Sequence, residues 1–331
     1  MNQEQSSSSH WTIVLAGGEG TRMQPLVHRW LGVNRPKQYC AFVGSRSLFQ
    51  HTVDRAALVT DPGRIVAVVA RDHRQEILTQ LQGRTVGQVI YQPRNCETAA
   101  GVFLPLTYIH ARAPEATVVI FPSDHFVHPE DRFLKAVRRV TEVAQRMPDR
   151  LVLLGIRPDQ PEMEYGWILP GERLSSSVGE PVHGVDSFME KPTLGQADDA
   201  LRHGALWNTF VFAARAELLW QIGMRCFPDL MLRFEQLRRV IGQPQETDVL
   251  DAIYDGMPTY NLSTTLLQQA AGSAAVIELH DVLWSDWGQP ARVAETLRRI
   301  GRTPAFPLEC LDRPFAPEPL VGASPEPTVQ P

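Results

Sequence analysis

Two unbroken apolar runs, Ile65-Val66-Ala67-Val68-Val69 and Val118-Val119-Ile120-Phe121, leave this chain little choice of fold. A strand with one wetted face alternates polar and apolar side chains. An unbroken run must be covered on both faces, as in the middle of a parallel sheet flanked by helices. Around these two strands, at 65–70 and 117–121, shorter β-rich segments stand at 12–16, 88–91 and 151–156. Amphipathic stretches at 47–59, 74–82, 99–112 and 132–146 separate them. Strand and helix in alternation predict an α/β fold with a doubly wound, mixed or mostly parallel sheet. Ligands of such sheets sit beyond the carboxyl ends of the strands, so motifs that directly follow a strand carry the most weight. After residue 156 the order loosens. Strands are expected at 184–189, 206–213 and 274–278, and helices at 216–223, 230–241 and 264–271. This reads as an extension of the same sheet over 157–300, completing one domain from 11 to 300.

Composition narrows the function classes. At 331 residues, 43% hydrophobic and 21% charged, the chain can bury a large core. A net charge of -5 argues against a dedicated nucleic-acid binder, which needs a basic face, but not against a small phosphate ligand. Cys40, Cys96, Cys226 and Cys310 are scattered singly, which supports neither a disulfide framework nor a zinc site and predicts a reducing, cytoplasmic setting. The first residues lack the basic and apolar regions of a signal peptide. No apolar run approaches the roughly 20 residues needed to cross a bilayer, so no membrane partner is expected. Residues 1–10 read as a disordered polar leader. Residues 301–331 read as a proline-rich tail lying on or leaving the domain.

The first strand runs straight into Leu15-Ala16-Gly17-Gly18-Glu19-Gly20-Thr21-Arg22. Three glycines in four positions let successive backbone N–H groups turn toward one point and make an anion nest, and Arg22 adds a planar fork of donors suited to phosphate. Taken alone, the same residues also make a tight strand-to-helix turn. A dinucleotide G-x-G-x-x-G would need glycine where Met23 stands, and the Gly-Lys-Ser/Thr of a P-loop is absent. Downstream lies Arg35-Pro36-Lys37-Gln38, whose lysine alone would read as a solvated surface residue. Phe121-Pro122-Ser123-Asp124-His125 leaves the second buried strand and sets a carboxylate where a cation can be held, or where a turn is capped. Trp284-Ser285-Asp286-Trp287-Gly288 sets another carboxylate far along the chain. Tyr165-Gly166-Trp167-Ile168, Phe188-Met189-Glu190-Lys191-Pro192 and Leu206-Trp207-Asn208 complete the set.

Together these motifs resemble those of the sugar-1-phosphate nucleotidylyltransferases, over about residues 11 to 300. The Pro36-Lys37-Gln38 form is similar to that of the mannose-1-phosphate guanylyltransferases. The resemblance implies a Rossmann-like, glycosyltransferase-A-like sheet with a sugar-binding extension. It implies that a nucleoside triphosphate lies on Leu15, Ala16, Gly17, Gly18, Gly20, Thr21, Arg22, Lys37, Gln92, Thr98 and Asp124. Sugar-1-phosphate would be bound by Gly166, Glu190, Lys191 and Asn208, with Arg22, Lys37 and Lys191 as the catalytic cations. Asp124 and Asp286 would hold Mg²⁺. His125 is expected to pack or orient rather than to bind the metal. GTP and mannose-1-phosphate are the expected pair, giving GDP-mannose and pyrophosphate, and the resemblance leaves a homodimer open.

Departures from the family pattern gather at the base and sugar sites. Cys96 replaces an arginine, Glu164 a small residue and Phe210 a glycine, while Ser263 stands where an acid is usual. They keep open another nucleotide and hexose-1-phosphate pair, and also a catalytically silent nucleotide-sugar-binding protein. With neither the β-helix nor the cupin-like extension of some relatives, no isomerase activity is expected.

Overall fold

The structure, a computed structural model, describes residues 10–175 and 181–311. Of the disordered leader expected over residues 1–10, only His10 is described, and it opens the first strand instead; of the tail expected over 301–331, residues beyond 311 lie outside the described residues. The strands are β1 (His10–Ala16), β2 (Ile65–Ala70), β3 (Gln88–Gln92), β4 (Thr117–Pro122), β5 (Phe126–His128), β6 (Leu151–Ile156), β7 (Gly166–Ser175), β8 (Val182–Glu190), β9 (Leu206–Arg215), β10 (Ala274–Leu279) and β11 (Leu283–Ser285). Nine of them form one sheet in the order β3-β2-β1-β4-β9-β6-β10-β8-β7. β3, β2, β1 and β4 are parallel neighbours, as are β6 and β10. β9 runs antiparallel between β4 and β6, and β7 and β8 add an antiparallel edge. β5 and β11 make a separate antiparallel ribbon.

The helices are α1 (Gln24–Leu31), α2 (Leu48–Ala57), α3 (Arg74–Gln80), α4 (Glu97–Arg112), α5 (Glu130–Arg146), α6 (Leu194–Arg202), α7 (Ala216–Cys226), α8 (Pro228–Arg238), α9 (Glu246–Tyr254) and α10 (Pro290–Arg299). Alternation along the central strands sends successive side chains to opposite layers. Val118 and Ile120 of β4 join the cluster built with α4, α7, α8 and α9, while Val119 and Phe121 join the one built with α5. Val14 of β1, opposite Phe121, packs with Phe49, Val53 and Ala56 of α2 on the side that α5 covers. The sheet is therefore covered on both faces, as the unbroken apolar runs require.

Helix α4 shows which force dominates. It has no side-chain N-cap and carries Pro105 in its interior, which costs about 3 kcal/mol through a lost hydrogen bond and ring clash. Eleven of its sixteen residues are buried, among them Phe103, Leu104, Leu106 and Ile109. At roughly 1.5–3 kcal/mol for each large apolar side chain, burial outweighs the proline. Helix α2 adds local insurance: the Ser47 hydroxyl accepts from the Gln50 N–H, and the Gln50 amide oxygen accepts from the Ser47 N–H.

After α10 the chain folds back. Phe306 and Cys310 are buried with Met23, Leu26, Phe42 and Trp287, and the Ala305 N–H donates to the Phe42 carbonyl at 2.8 Å. Among the described residues no helix is long and apolar enough to cross a membrane.

Candidate active site

The ribbon of β5 and β11 solves the problem of distance along the chain. Asp124 precedes β5 and Asp286 follows β11. Because the strands are antiparallel, with Phe126 opposite Ser285, both aspartates emerge at the same end of the ribbon. That end faces the carboxyl ends of β1 and β4, where the glycine loop begins. The Ser123 hydroxyl donates to the Leu15 carbonyl at 2.6 Å and ties the two strand ends together.

Lys37 stands at the meeting point. It is only 5% exposed, with Nζ 3.0 Å from Asp124 Oδ2, and it also donates to the Asp286 backbone carbonyl. The glycine loop accommodates it. Gly20 has φ +61°, and a Cβ there would lie 3.1 Å from both Cγ and the backbone N of Lys37, so a side chain is excluded on two counts. Gln38 pins the loop from beneath, its Nε2 donating to the Gly18 carbonyl at 2.6 Å and to that of Ala16 at 3.2 Å.

Asp286 is the more heavily held carboxylate. Its Oδ1 accepts from the Tyr165 hydroxyl at 3.0 Å, the Gly288 N–H at 2.9 Å and Arg292 at 2.9 Å, and Oδ2 lies 3.5 Å from Arg22. Burial alone would raise its pKa, but Lys37, Arg292 and the Gly288 N–H outweigh burial and bring it down to about 2. For Asp124 burial is likewise opposed by Lys37 and His125, with a net lowering. Both are carboxylates at neutral pH. His125 lies 3.6 Å from Asp124 and edge-on to Trp284, and burial lowers its pKa.

Fourteen of the sixteen residues expected to bind nucleotide, sugar phosphate or metal line one cleft of about 390 Å³. They are Leu15, Ala16, Gly17, Gly18 and Gly20, then Arg22, Lys37, Asp124 and Asp286, then Gln92 and Thr98, and a cluster of Gly166, Glu190 and Asn208. Two fall outside this lining. Thr21 is exposed at the start of a short helical turn, and Lys191 is exposed just past β8 with φ +48°. Several have partners within the protein already. The Thr98 hydroxyl accepts from the Leu262 N–H at 2.8 Å. Arg22, half exposed, donates to Glu164 at 2.6 Å.

Sequence reading missed Arg292, which no motif marks. Only 13% exposed, it pairs with Glu162 at 2.7 Å, Glu164 at 3.1 Å and Asp286, and stacks over the Tyr165 ring. Glu164 thus joins Arg22 to Arg292. Gln38 was in view beside Lys37, but its bracing of the loop depends on a fold-back that sequence does not reveal. Cys96 is fully buried in the core around α4.

Within the cluster of Gly166, Glu190 and Asn208, Gly166 allows close approach. A Cβ there would meet Phe188 at 2.7 Å, Glu190 Oε2 at 2.9 Å and Asn208 Cβ at 3.4 Å. Burial raises the Glu190 pKa against the opposing pull of Lys191 and of a hydrogen bond to Ser263. A raised folded pKa means that the folded state holds the proton more tightly than the unfolded chain does. Stability is then lost as pH rises from the unfolded value, about 4.3, through the folded one. Glu190→Gln should remove that loss. Its melting temperature, relative to the parent's, is expected to climb between pH 4.5 and 7.5, and parallel melting curves across that range would contradict this account.

The sequence profile of the nucleotidyl transferase family matches residues 11–297. A mannose-1-phosphate guanylyltransferase of Sinorhizobium fredii is 28% identical over 282 residues, which is 83% of this chain and 52% of that protein. The xanthan biosynthesis protein XanB of Xanthomonas campestris is 33% identical over 207 residues, covering 62% of this chain and 42% of XanB. The chain thus spans about half the length of the curated relatives it matches. Among solved structures, one described as a mannose-1-phosphate geranyltransferase from Thermus thermophilus superimposes with a TM-score of 0.72 at 26% identity. That match covers 85% of this chain and 76% of the other.

Proposed function

Because the chain belongs to the nucleotidyl transferase family, we propose that it transfers a nucleotidyl group from GTP to mannose-1-phosphate, giving GDP-mannose and pyrophosphate in the cytoplasm. One observation carries the reading. One buried lysine beside a glycine loop, at the mouth of a mixed α/β sheet, pairs with the Asp124 carboxylate and donates to the backbone carbonyl of Asp286, so two aspartates far apart in sequence line one cleft. The names of the curated relatives support a guanylyl donor with mannose-1-phosphate, and that of the solved structure supports mannose-1-phosphate.

In the reaction an oxygen of the sugar phosphate forms a bond to the α-phosphorus, and the bridging bond to the β-phosphate breaks. The attacking phosphate has a second pKa of about 6, so it is largely ionised at neutral pH and no general base is needed. The obstacle is repulsion between two anions. Lys37, Arg22, Lys191 and the loop N–H groups answer it by charge and by position. Arg22 has to exchange Glu164 for a phosphate. The exchange is cheap, since an exposed ion pair contributes only about 0–1 kcal/mol.

Mg²⁺ fits these residues. Among the described residues no group of three or more His, Cys, Asp or Glu is arranged to hold a metal alone. Two hard carboxylates suit a cation that takes its other ligands from phosphate and water. Asp124 and Asp286 would hold it, and it would neutralise charge on the reacting phosphates.

The test is pyrophosphate release from the purified chain with Mg²⁺ and a matrix of triphosphates and sugar-1-phosphates. Preference for GTP with mannose-1-phosphate is expected. Preference for another pair overturns the specificity, and silence throughout, with nucleotide-sugar binding retained, overturns catalysis. Lys191→Ala should raise KM for the sugar phosphate about tenfold or more, the scale of a hydrogen bond from a charged donor. An effect confined to the triphosphate would remove Lys191 from the sugar side.

A further inference from the structure

Phe210 holds a backbone conformation that a bulky residue rarely adopts, and its partly buried ring both packs against the core and lines the cleft. The register between β6 and β9 slips between the pairs Gly155–Asn208 and Leu153–Phe212, so β9 bulges over residues 209–211. At the apex Phe210 has φ +58°, in the left-handed region where glycine or asparagine would avoid most of the strain. Its neighbours hold the bulge in place. The Asn208 Oδ1 accepts from the Phe210 N–H at 3.1 Å, and the Thr209 hydroxyl donates to the Leu154 carbonyl at 2.6 Å. The ring itself is only half-buried. It touches the core edge-on through Phe212, at 6.0 Å between centroids, and lines the cleft with Asn208, Glu190 and Ser263.

Strain kept at a side chain that faces the cleft points to a role toward a ligand. We infer that Phe210 is a specificity-determining residue that closes the sugar end of the cleft to any ring substituent larger than a hydroxyl. The site then takes unsubstituted hexose-1-phosphates and rejects their N-acetylated counterparts. This rests on the sugar-phosphate reading of that end of the cleft. A clash of one or two heavy atoms in a shaped pocket is worth about 10–200-fold in discrimination, enough to set the choice.

The test compares the parent chain with Phe210→Gly and Phe210→Asn, two residues that tolerate the left-handed region. Mannose-1-phosphate and N-acetylmannosamine-1-phosphate, and glucose-1-phosphate with N-acetylglucosamine-1-phosphate, are the probes. Binding by calorimetry and turnover by pyrophosphate release are both read. The ratio of acetylated to plain substrate, in Kd and in kcat/KM, is expected to shift toward the acetylated sugar by about tenfold or more in both variants. KM for the triphosphate should move much less, and the melting temperature should hold or rise as strain is released. If the parent binds the plain sugar phosphates and neither variant gains the acetylated ones, this inference fails while the proposed reaction stands. If the parent binds no sugar phosphate at all, both fail. A fall in melting temperature with an unchanged ratio would make Phe210 a structural residue only.

Discussion

Asp286→Asn and Asp124→Asn are each expected to lower pyrophosphate release by about 10²–10³-fold or more while the chain stays folded, the scale seen when one pre-positioned electrostatic partner of a transition state is removed. The asparagine keeps the shape, so Tyr165, Gly288 and Arg292 retain an acceptor in place of Asp286 Oδ1, and Arg292 keeps Glu162 and Glu164. The negative charge goes, and one oxygen becomes an N–H donor. Circular dichroism should be superimposable on the parent's, with a lower urea midpoint, because a carboxylate whose pKa the fold lowers stabilises that fold while ionised. Release at the parent's rate in both variants would end the assignment of these two carboxylates to a shared cation. Unfolding of both would show that they serve the structure instead.

Trp287→Ala should produce the largest change in stability. The ring is fully buried, stacked on Phe126 at 4.5 Å with 11° between planes, and meets Phe42 edge-on at 5.6 Å. Deleting it leaves a hole between α1, α10 and the β5–β11 ribbon, at about 3–5 kcal/mol. A domain stable by about 5–15 kcal/mol loses much of its margin to such a change. Trp287 adjoins Asp286, so activity should fall well below the melting temperature. Trp287→Phe should recover part of both. A urea midpoint within error of the parent's would show that this cluster does not hold the ribbon.

Where local chemistry decides the outcome, the sequence was legible. The apolar runs became central strands covered on both faces, and the glycine loop stands where the end of β1 puts it. Helices α1, α6, α9 and α10 were not among those expected; α1 and α10 each open beside a proline, Pro25 and Pro290, which is at home in a first helical turn. With α10 went Arg292. The helix expected over 264–271 is present as helical turns over 262–269, with π geometry at Ser263–Leu267 that periodicity does not distinguish from an α-helix. Pairing partners were out of reach for a different reason. Nothing local to 206–213 says that β9 runs backwards between β4 and β6, because that choice is made by contacts across the whole chain.

That reversed strand has a consequence for synthesis. β4 and β6 both leave the ribosome before β9. β4 waits with one row of N–H and C=O groups unpaired, and β6 with two, because its other neighbour β10 follows later still. Until Arg215 has emerged these edges stay open, and apolar strands exposed in this way are prone to stick to other chains. Slowing translation just upstream of β9 should therefore lower the yield of folded chain more than the same delay placed after Arg215.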